Sequence, residues 1–250
     1  LRQIGVEGIV TSLYGIPEEQ AWSEDAVRDL DAFIRSNGMR WSVVESLPVD
    51  EAIKYAGPRR ESLVEKYKES LASLGKCGIH TVCYNFMPVL DWIRTDVGYP
   101  YSDGSSGLYF DMAEFAWFDI CILGRKGAEA DYSPAILKKV EEISARADEV
   151  FSQRIVDTVI VKTQGFVNEN FRNPSADPVG RFKELLSRYD GMTGDDLREN
   201  LRSFLTAIMP VCDKYGIDMC IHPDDPPMQV LGLPRIVTCA EDIRWILGAV

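Results

Sequence analysis

The feature that most constrains this chain is a repeated alternation of short apolar runs with longer amphipathic stretches. Each short run is rich in β-branched residues and is closed by a turn former, which is typical of a strand in a parallel sheet. Four such runs are predicted as strands, at residues 8–13, 41–46, 81–86 and 217–222. Strands that alternate with helices indicate an α/β fold with both sheet faces covered, either a doubly wound sheet or a (β/α)8 TIM barrel.

The amphipathic stretches carry recognisable helix ends. Three of them begin after a residue that commonly starts a helix and end at a glycine. These boundary residues are Ser23 and Gly38, Pro58 and Gly75, and Thr193 and Gly216. Such pairs are common helix boundaries. Pro210 is expected to bend the third helix near its end. Further helices are predicted at residues 112–123, at 134–152 and from 240 onward.

The region between the third and fourth predicted strands departs from this alternation. Residues 88–103 are rich in aromatic residues and turn formers, and they are too long for a plain strand-to-helix connection. Loops of that length are usually functional. Residues 156–161 are β-prone, and residues 168–174, with three asparagines and Pro174, are expected to form a loop. We therefore predict one barrel domain over residues 1–250, in which residues 88–190 form a long loop and a helical insertion.

Several common motifs are missing from the sequence. No GxGxxG follows the first predicted strand and no GxxxxGK[ST] occurs, so the usual phosphate-binding loops are not encoded. No GxSxG occurs either, and the chain has only two histidines, which disfavours a Ser-His-Asp hydrolase triad. The length of 250 residues suits an α/β barrel as a single domain. These features favour the barrel.

Charge and cysteine content narrow the partner and the compartment. The chain has 27 basic and 39 acidic residues and a net charge of −12, which disfavours nucleic acid and membrane surfaces and points to a small-molecule partner. Its six cysteines form no CxxC pair. We expect them to be buried, reduced thiols in a cytoplasmic protein.

Polar residues stand where the predicted strands end, which is where α/β folds place their reacting groups. They are Tyr14, Glu45 with Ser46, Tyr84 with Asn85, and His222 with Asp224 and Asp225. This pattern predicts a ligand site without naming the ligand.

His222 is the most specific of these residues. A neutral imidazole at a strand end is a good metal ligand, and the plainer alternative is a histidine held by a hydrogen bond. Asp224 and Asp225 are expected to orient the histidine or to touch substrate, and the plainer alternative is an aspartate-capped turn. His80 precedes its strand, at the opposite end, and is expected to be non-catalytic.

Arg94 lies in the long segment after the third predicted strand. Its guanidinium could bind a substrate carboxylate with two hydrogen bonds. The alternative is an ion pair with Asp91 or Asp96. Cys77 and Cys83 are expected in the core rather than as zinc ligands.

Long runs of this sequence resemble the mannonate dehydratase family. In one-letter code they are VVES at 43–46, CGI at 77–79, TVCYNFMPVLDW at 81–92, GAEADY at 127–132, HPDDPP at 222–227 and LGLPRIV at 231–237. The resemblance covers nearly the whole chain and is weakest over residues 156–189. Many members carry a His-His pair where Tyr14 and Gly15 stand here.

The resemblance implies a xylose-isomerase-like barrel, of which the predicted strands are the second to fifth. It also implies a hydro-lyase that converts D-mannonate into 2-keto-3-deoxy-D-gluconate in hexuronate (glucuronate) breakdown, with a divalent metal, Mn²⁺ or else Fe²⁺, Co²⁺ or Zn²⁺. His222 would be a metal ligand. Position alone suggests substrate contacts for Arg94, Tyr84, Asn85, Glu45, Asp224 and Asp225. A homodimer would be in keeping with this reading.

The family's other metal ligands and its catalytic tyrosine are expected on later strands, outside this chain, so Cys220 is not taken as a substitute ligand. Two alternatives stay open. One is a metal-dependent sugar isomerase or epimerase on the same barrel, because fold does not fix reaction. The other is a partial barrel that ends at Val250, exposes two sheet edges, and is inert or completed by a partner.

Overall fold

The computed structural model describes residues 1–164 and 177–250 and has the predicted α/β architecture. Two compact units are distinguishable. The first comprises Leu1–Pro88, Thr193–Pro223 and Ile236–Val250, and the second comprises Val89–Met192 and Asp224–Arg235. The second unit contains nearly all of the range predicted as a long loop and insertion. Among the described residues, no helix combines the length and the apolar character that crossing a membrane would require.

The strands of the two units are β1 (Gly8–Thr11), β2 (Arg40–Val44), β3 (Thr81–Tyr84), β4 (Asp96–Pro100), β5 (Ser106–Tyr109) and β6 (Asp218–Ile221). The first unit contains the parallel sheet, and β4 and β5 belong to the second unit. Strands β1, β2, β3 and β6 pair in that order, and every pair is parallel. All four predicted strands are therefore confirmed. Each ends one or two residues earlier than predicted, which leaves the polar residues beyond the strand ends.

The predicted helix boundaries are largely confirmed. The helices are α1 (Glu24–Ser36), α2 (Glu51–Lys54), α3 (Arg60–Lys76), α4 (Met112–Trp117), α5 (Pro134–Ser144), α6 (Glu149–Val156), α7 (Pro178–Ser187), α8 (Gly194–Tyr215) and α9 (Ala240–Leu247). The Ser23 hydroxyl accepts a hydrogen bond from the Ala26 N–H and caps α1. Gly216 ends α8 in the left-handed conformation, with φ of 64°, which glycine adopts without steric cost.

Helix α8 begins with a capping box. The Thr193 hydroxyl accepts from the Asp196 N–H at 3.2 Å, and the Asp196 carboxylate accepts from the Thr193 N–H at 2.8 Å. We expect Thr193→Ala to lower the free energy of unfolding by about 1 kcal/mol, because the hydroxyl that accepts from the Asp196 N–H at the helix start is lost. Urea unfolding measures the change. Thr206→Ala, at an exposed position within α8, is the control and should be neutral or slightly stabilising; an equal loss in both variants would contradict the capping role.

One side of β3 faces an aromatic cluster. Phe204 of α8 is fully buried, and its ring centroid lies 5.0 Å from Tyr67, 5.8 Å from Phe86 and 6.0 Å from Tyr84. Because side chains alternate along a strand, Tyr84 and Phe86 share this side, and Cys83 and Asn85 take the other. The alternation therefore separates the packing side of the segment from its polar side.

The second unit corrects part of the expectation of a long loop over residues 88–103. Residues 88–95 form no helix or named strand, whereas residues 96–100 form β4. Strands β4 and β5 form an antiparallel hairpin, and the Tyr99 and Tyr109 rings stack across it at 4.0 Å. Gly104 lies in the connecting turn with a positive φ of 86°. Tyr99, one of the aromatic residues that suggested a functional loop, thus has a cross-strand aromatic neighbour, and such pairs stabilise hairpins.

Two helix assignments in the second unit also differ from the sequence-based expectation. The single helix predicted over 134–152 is two helices, because Asp148 caps α6 by accepting from the Phe151 N–H at 2.8 Å. The β-prone run 156–161 is helical and continues α6 as a π-helical turn, Asp157–Lys162. Val159 and Ile160 are fully buried there, so packing outweighs β-propensity. The loop predicted over residues 168–174 lies outside the described residues.

The cysteines are free thiols, but most are more exposed than predicted. Only Cys212 is buried; Cys77 and Cys83 are half-buried, and the exposed ones are Cys121, Cys220 and Cys239. The expectation of six buried thiols is therefore wrong, because three of the side chains lie on the protein surface.

We expect Cys212 to be alkylated by iodoacetamide far more slowly than Cys121. Burial raises the pKa of the Cys212 thiol to about 11, so little of the reactive thiolate is present near neutral pH. The rate at Cys212 should rise as the pH approaches that value. Timed alkylation followed by peptide mass spectrometry checks this, and equal rates at the two cysteines near neutral pH would contradict it.

Candidate metal centre

Three side chains with metal-binding atoms meet at the carboxyl-terminal edge of the parallel sheet. Glu45 directly follows β2, Cys83 lies in β3, and His222 directly follows β6. One ligand atom from each residue lies within 4.8 Å of the other two, and all three residues are half-buried. Together they offer an imidazole nitrogen, a carboxylate oxygen and a sulfur. We call these three residues the strand-end cluster.

The strand register explains why these residues meet. Val44 is paired with Val82, so the next residues along the two strands, Glu45 and Cys83, are neighbours. Cys83 is paired with Cys220, two residues before His222. Since side chains two apart share a face of the sheet, His222 lies on the same face as Cys220. The positions of all three residues therefore follow from the sheet.

Backbone hydrogen bonds fix the ends of these strands. The His222 N–H donates to the Tyr84 carbonyl at 3.0 Å, and the Glu45 N–H donates to the Thr11 carbonyl at 2.9 Å. The Tyr14 hydroxyl donates to the Glu45 carbonyl at 3.1 Å and so supports the same strand end. Rigid strand ends hold functional side chains more precisely than mobile loops.

The cluster is electrostatically coupled. Nε2 of His222 contacts Oε1 of Glu45. The pKa of the Cys83 thiol is raised to about 12, mainly by burial and then by the Glu45 carboxylate and the Cys220 thiol. The thiol is therefore protonated near neutral pH. A bound cation would reverse this preference, because it stabilises a thiolate and a carboxylate together.

The donor set fits a divalent transition metal. Imidazole and carboxylate ligands accept several first-row divalent ions, and a thiol adds preference for softer ones. His222 and Glu45 stand at the strand ends where the sequence predicted a ligand site. Cys83, interpreted from sequence as a core residue, is the member that sequence reasoning missed.

The two polar residues at the end of β3 have different environments. Tyr84 is 2% exposed, and its ring lies against Phe204. Burial is the main cause of its raised pKa. This position indicates a packing role and disfavours the predicted substrate contact. Asn85 is half-buried, so the prediction that it contacts substrate is retained as a proposal below.

Arg94 and Asp225 form a two-pronged ion pair within the second unit. Nη1 and Nη2 of Arg94 donate to Oδ1 and Oδ2 of Asp225 at 2.9 and 2.8 Å. Nη1 also donates to the Ile93 carbonyl, and the guanidinium lies 5.4 Å from the Trp92 ring. The guanidinium edge predicted to hold a substrate carboxylate is thus occupied by a protein carboxylate. Its partner is neither Asp91 nor Asp96, the two that the sequence suggested.

Asp224 also pairs with an arginine of the second unit. Its Oδ1 accepts from Nη1 of Arg235 at 3.1 Å, and the two side chains are 2% and 0% exposed. Among the described residues, Nε and Nη2 of Arg235 have no hydrogen-bond partner. Burial lowers the pKa of Arg235, and the nearby carboxylates oppose that effect. Both aspartates of the HPDDPP run therefore hold arginines.

Taken together, these features define a class. The protein has a parallel sheet with an imidazole, a carboxylate and a thiol at adjacent strand ends. It is therefore an α/β protein with a candidate divalent-metal site. Enzymes of several reaction types share such sites, so the class alone leaves the reaction open.

Comparison with known proteins identifies the family. The profile of the D-mannonate dehydratase (UxuA) family matches residues 1–250. This chain therefore belongs to the D-mannonate dehydratase family. It is 43% identical over 254 residues to the mannonate dehydratase of Chromohalobacter salexigens and 42% identical over 250 residues to that of a Marinomonas species. Both alignments cover 100% of this chain and 62% of the relative.

A solved structure shows a similar fold. The crystal structure of mannonate dehydratase from Streptococcus suis serotype 2 matches with a TM-score of 0.68 and 32% sequence identity, over 98% of this chain and 54% of that one. The chain thus spans about six-tenths of the length of the curated relatives that it matches. The comparisons support the resemblance seen in the sequence runs.

Proposed function

We propose that the protein is a hydro-lyase that dehydrates D-mannonate to 2-keto-3-deoxy-D-gluconate in hexuronate breakdown. The observation that carries the proposal is the strand-end cluster, which lies where α/β enzymes place reacting groups. Family membership supports the reaction, because both curated relatives are named mannonate dehydratase.

We further propose that His222 is a ligand of the metal, with Glu45 and Cys83 beside it. Mn²⁺ is the expected ion, and Fe²⁺, Co²⁺ and Zn²⁺ are compatible with the same donors. The bound ion would act as a Lewis acid that stabilises charge developing on the substrate carboxylate. The closeness of one ligand atom from each of the three residues supports this proposal.

The reaction removes a proton from C2 and hydroxide from C3, so one water leaves and the resulting enol becomes the 2-keto acid. We assign to Glu45 and Asn85 the binding of substrate hydroxyls, because both are half-buried and polar at neighbouring strand ends. Asp224, Asp225 and Arg94 serve instead to fix the turn that follows His222, as their ion pairs suggest.

The remaining parts of the proposal concern the whole protein. The parallel strands of the first unit, ordered as in the chain, are consistent with the second to fifth strands of a (β/α)8 barrel in which the second unit is an insertion. A sugar acid is the proposed partner, and nucleic acid and membrane are not. A homodimer and a cytoplasmic location complete the proposal, and the free thiols agree with that location.

Product analysis tests the function. Purified protein is incubated with D-mannonate and Mn²⁺, and the product is identified by ¹³C NMR and mass spectrometry. The expected product has lost one water and carries a ketone at C2. A chelator should abolish turnover, and added Mn²⁺ should restore it.

Two outcomes would contradict the proposed function. A product that keeps every hydroxyl would identify an isomerase or epimerase. No turnover with Mn²⁺, Fe²⁺, Co²⁺ or Zn²⁺ would reject dehydration by this chain.

A further inference from the structure

A cavity of about 360 Å³ lies wholly within the second unit. None of its lining residues belongs to the strand-end cluster. Its volume falls within the range of about 300–1,000 Å³ that small-molecule sites occupy. Leu123, Leu231 and Leu233 line it and are each less than 5% exposed as residues, so the cavity has an apolar floor.

Cations line the same cavity. Arg125, Lys126 and Lys183 contribute positive charge, and Asp190 contributes one negative charge. Within the described part of the chain, neither lysine forms an ion pair. In a protein with a net charge of −12, this local excess of positive charge attracts an anion.

Arg125 is held rigidly from behind. Its Nε and Nη2 donate to the fully buried Asp119 at 2.9 and 2.6 Å, and Nη2 also donates to Asp131 at 2.6 Å. The Tyr132 hydroxyl donates to the same Asp119 carboxylate at 2.8 Å. These bonds use one edge of the guanidinium and leave Nη1 without a hydrogen bond among the described residues.

Gly232 lets Nη1 of Arg125 lie close to the backbone at the cavity wall. Gly232 lines the cavity, and a Cβ built on it would lie 3.3 Å from Nη1 of Arg125, tighter than nine in ten real Cβ contacts. Its φ of 73° also favours glycine. Arg125 supplies a directed donor, but Asp119 and Asp131 more than offset its charge. The positive charge that attracts an anion therefore comes from Lys126 and Lys183.

We propose that this cavity binds a phosphate monoester of a hexose-sized sugar. The phosphate lies between Nη1 of Arg125 and the two lysines, because a dianion matches paired cations better than a single carboxylate does. The sugar body covers the leucine floor. The cavity shares no lining residue with the proposed dehydration site, so it suits an effector or a second ligand rather than the substrate.

The test is isothermal titration calorimetry of the purified protein with glucose 6-phosphate. Saturable binding is expected, and the double variant Lys126→Ala/Lys183→Ala should weaken it at least about tenfold. The matched control is Lys138→Ala/Lys139→Ala, which removes the same charge from exposed positions of α5 and should change affinity less than about twofold. Circular dichroism verifies that both variants are folded.

Further ligands define what the site recognises. Glucose should not bind, and inorganic phosphate and gluconate should bind at least about tenfold more weakly than glucose 6-phosphate. Equal losses in the two double variants would overturn the proposal, because long-range charge alone would explain them. Equal affinity for gluconate or for inorganic phosphate, or no binding of glucose 6-phosphate, would also overturn it. None of these outcomes depends on whether the protein dehydrates mannonate.

Discussion

His222→Ala is expected to reduce Mn²⁺ affinity by more than about 100-fold and to remove detectable dehydration of D-mannonate. Even residues that only support a metal ligand typically change affinity by about 10- to 100-fold, so loss of a ligating imidazole should cost more. The effect should reach beyond the lost bond, because Glu45 then faces the site without the histidine that it contacts. Metal affinity is measured by electron paramagnetic resonance of free Mn²⁺, and turnover by product formation.

His80→Ala provides a matched control for that experiment. His80 lies just before β3, at the opposite end of the sheet from the cluster, and its Nδ1 is 2.9 Å from the Gly216 carbonyl. The same deletion there should leave both metal affinity and turnover close to those of the unaltered protein. If His222→Ala keeps full Mn²⁺ affinity, His222 is not a ligand and the assignment of the metal site is wrong.

The sequence predicted the sheet better than it predicted the second unit. The strands of the sheet are marked by short β-branched runs, and the helices between them by caps such as Ser23 and Thr193. Both are local signals. The hairpin formed by β4 and β5 is stabilised by contacts across strands, including Tyr99 with Tyr109. Those contacts depend on a register that the sequence does not state. Residues 156–161 are helical because most of their side chains are buried, which a propensity scale does not take into account.

The candidate site likewise contains residues that the sequence predicted and one that it did not. Glu45 and His222 were found because strand ends are visible in the sequence. Cys83 was not, because its role depends on which strands are neighbours. One signal was available in advance: alternation puts Cys83 and Asn85 on one side of the strand and Tyr84 on the other. Applied to β3, it favours Cys83 for the site and Tyr84 for the core.

The arginine partners of Asp224 and Asp225 could not be read from the sequence either. Asp225 pairs with Arg94, 131 residues away along the chain. Asp224 pairs with Arg235, which is only 11 residues away but lies beyond a turn. An aspartate followed by prolines fits both a cap and an ion pair, and only the folded structure selects between them.

Asp224→Ala is expected to lower the free energy of unfolding by about 3–5 kcal/mol. Its partner Arg235 has a fully buried side chain, and the lost bond is the one that its guanidinium donates to Asp224. Two guanidinium nitrogens of Arg235 already lack partners among the described residues. Removing the carboxylate therefore leaves a buried positive charge with only weaker support from Asp91 and Asp225. Urea unfolding followed by circular dichroism measures the loss.

Two further variants separate the buried charge from other causes. Glu184→Ala removes an acidic side chain from the same unit, but that side chain is 68% exposed in its pair with Arg188, so the change should be at most about 1 kcal/mol. Adding Arg235→Met to Asp224→Ala should recover most of the lost stability, because no uncompensated charge then remains buried. A double variant as unstable as Asp224→Ala alone would show that lost contacts, rather than the unpaired guanidinium, cause the effect. Equal stability of Asp224→Ala and Glu184→Ala would show that the buried pair contributes no more than an exposed one.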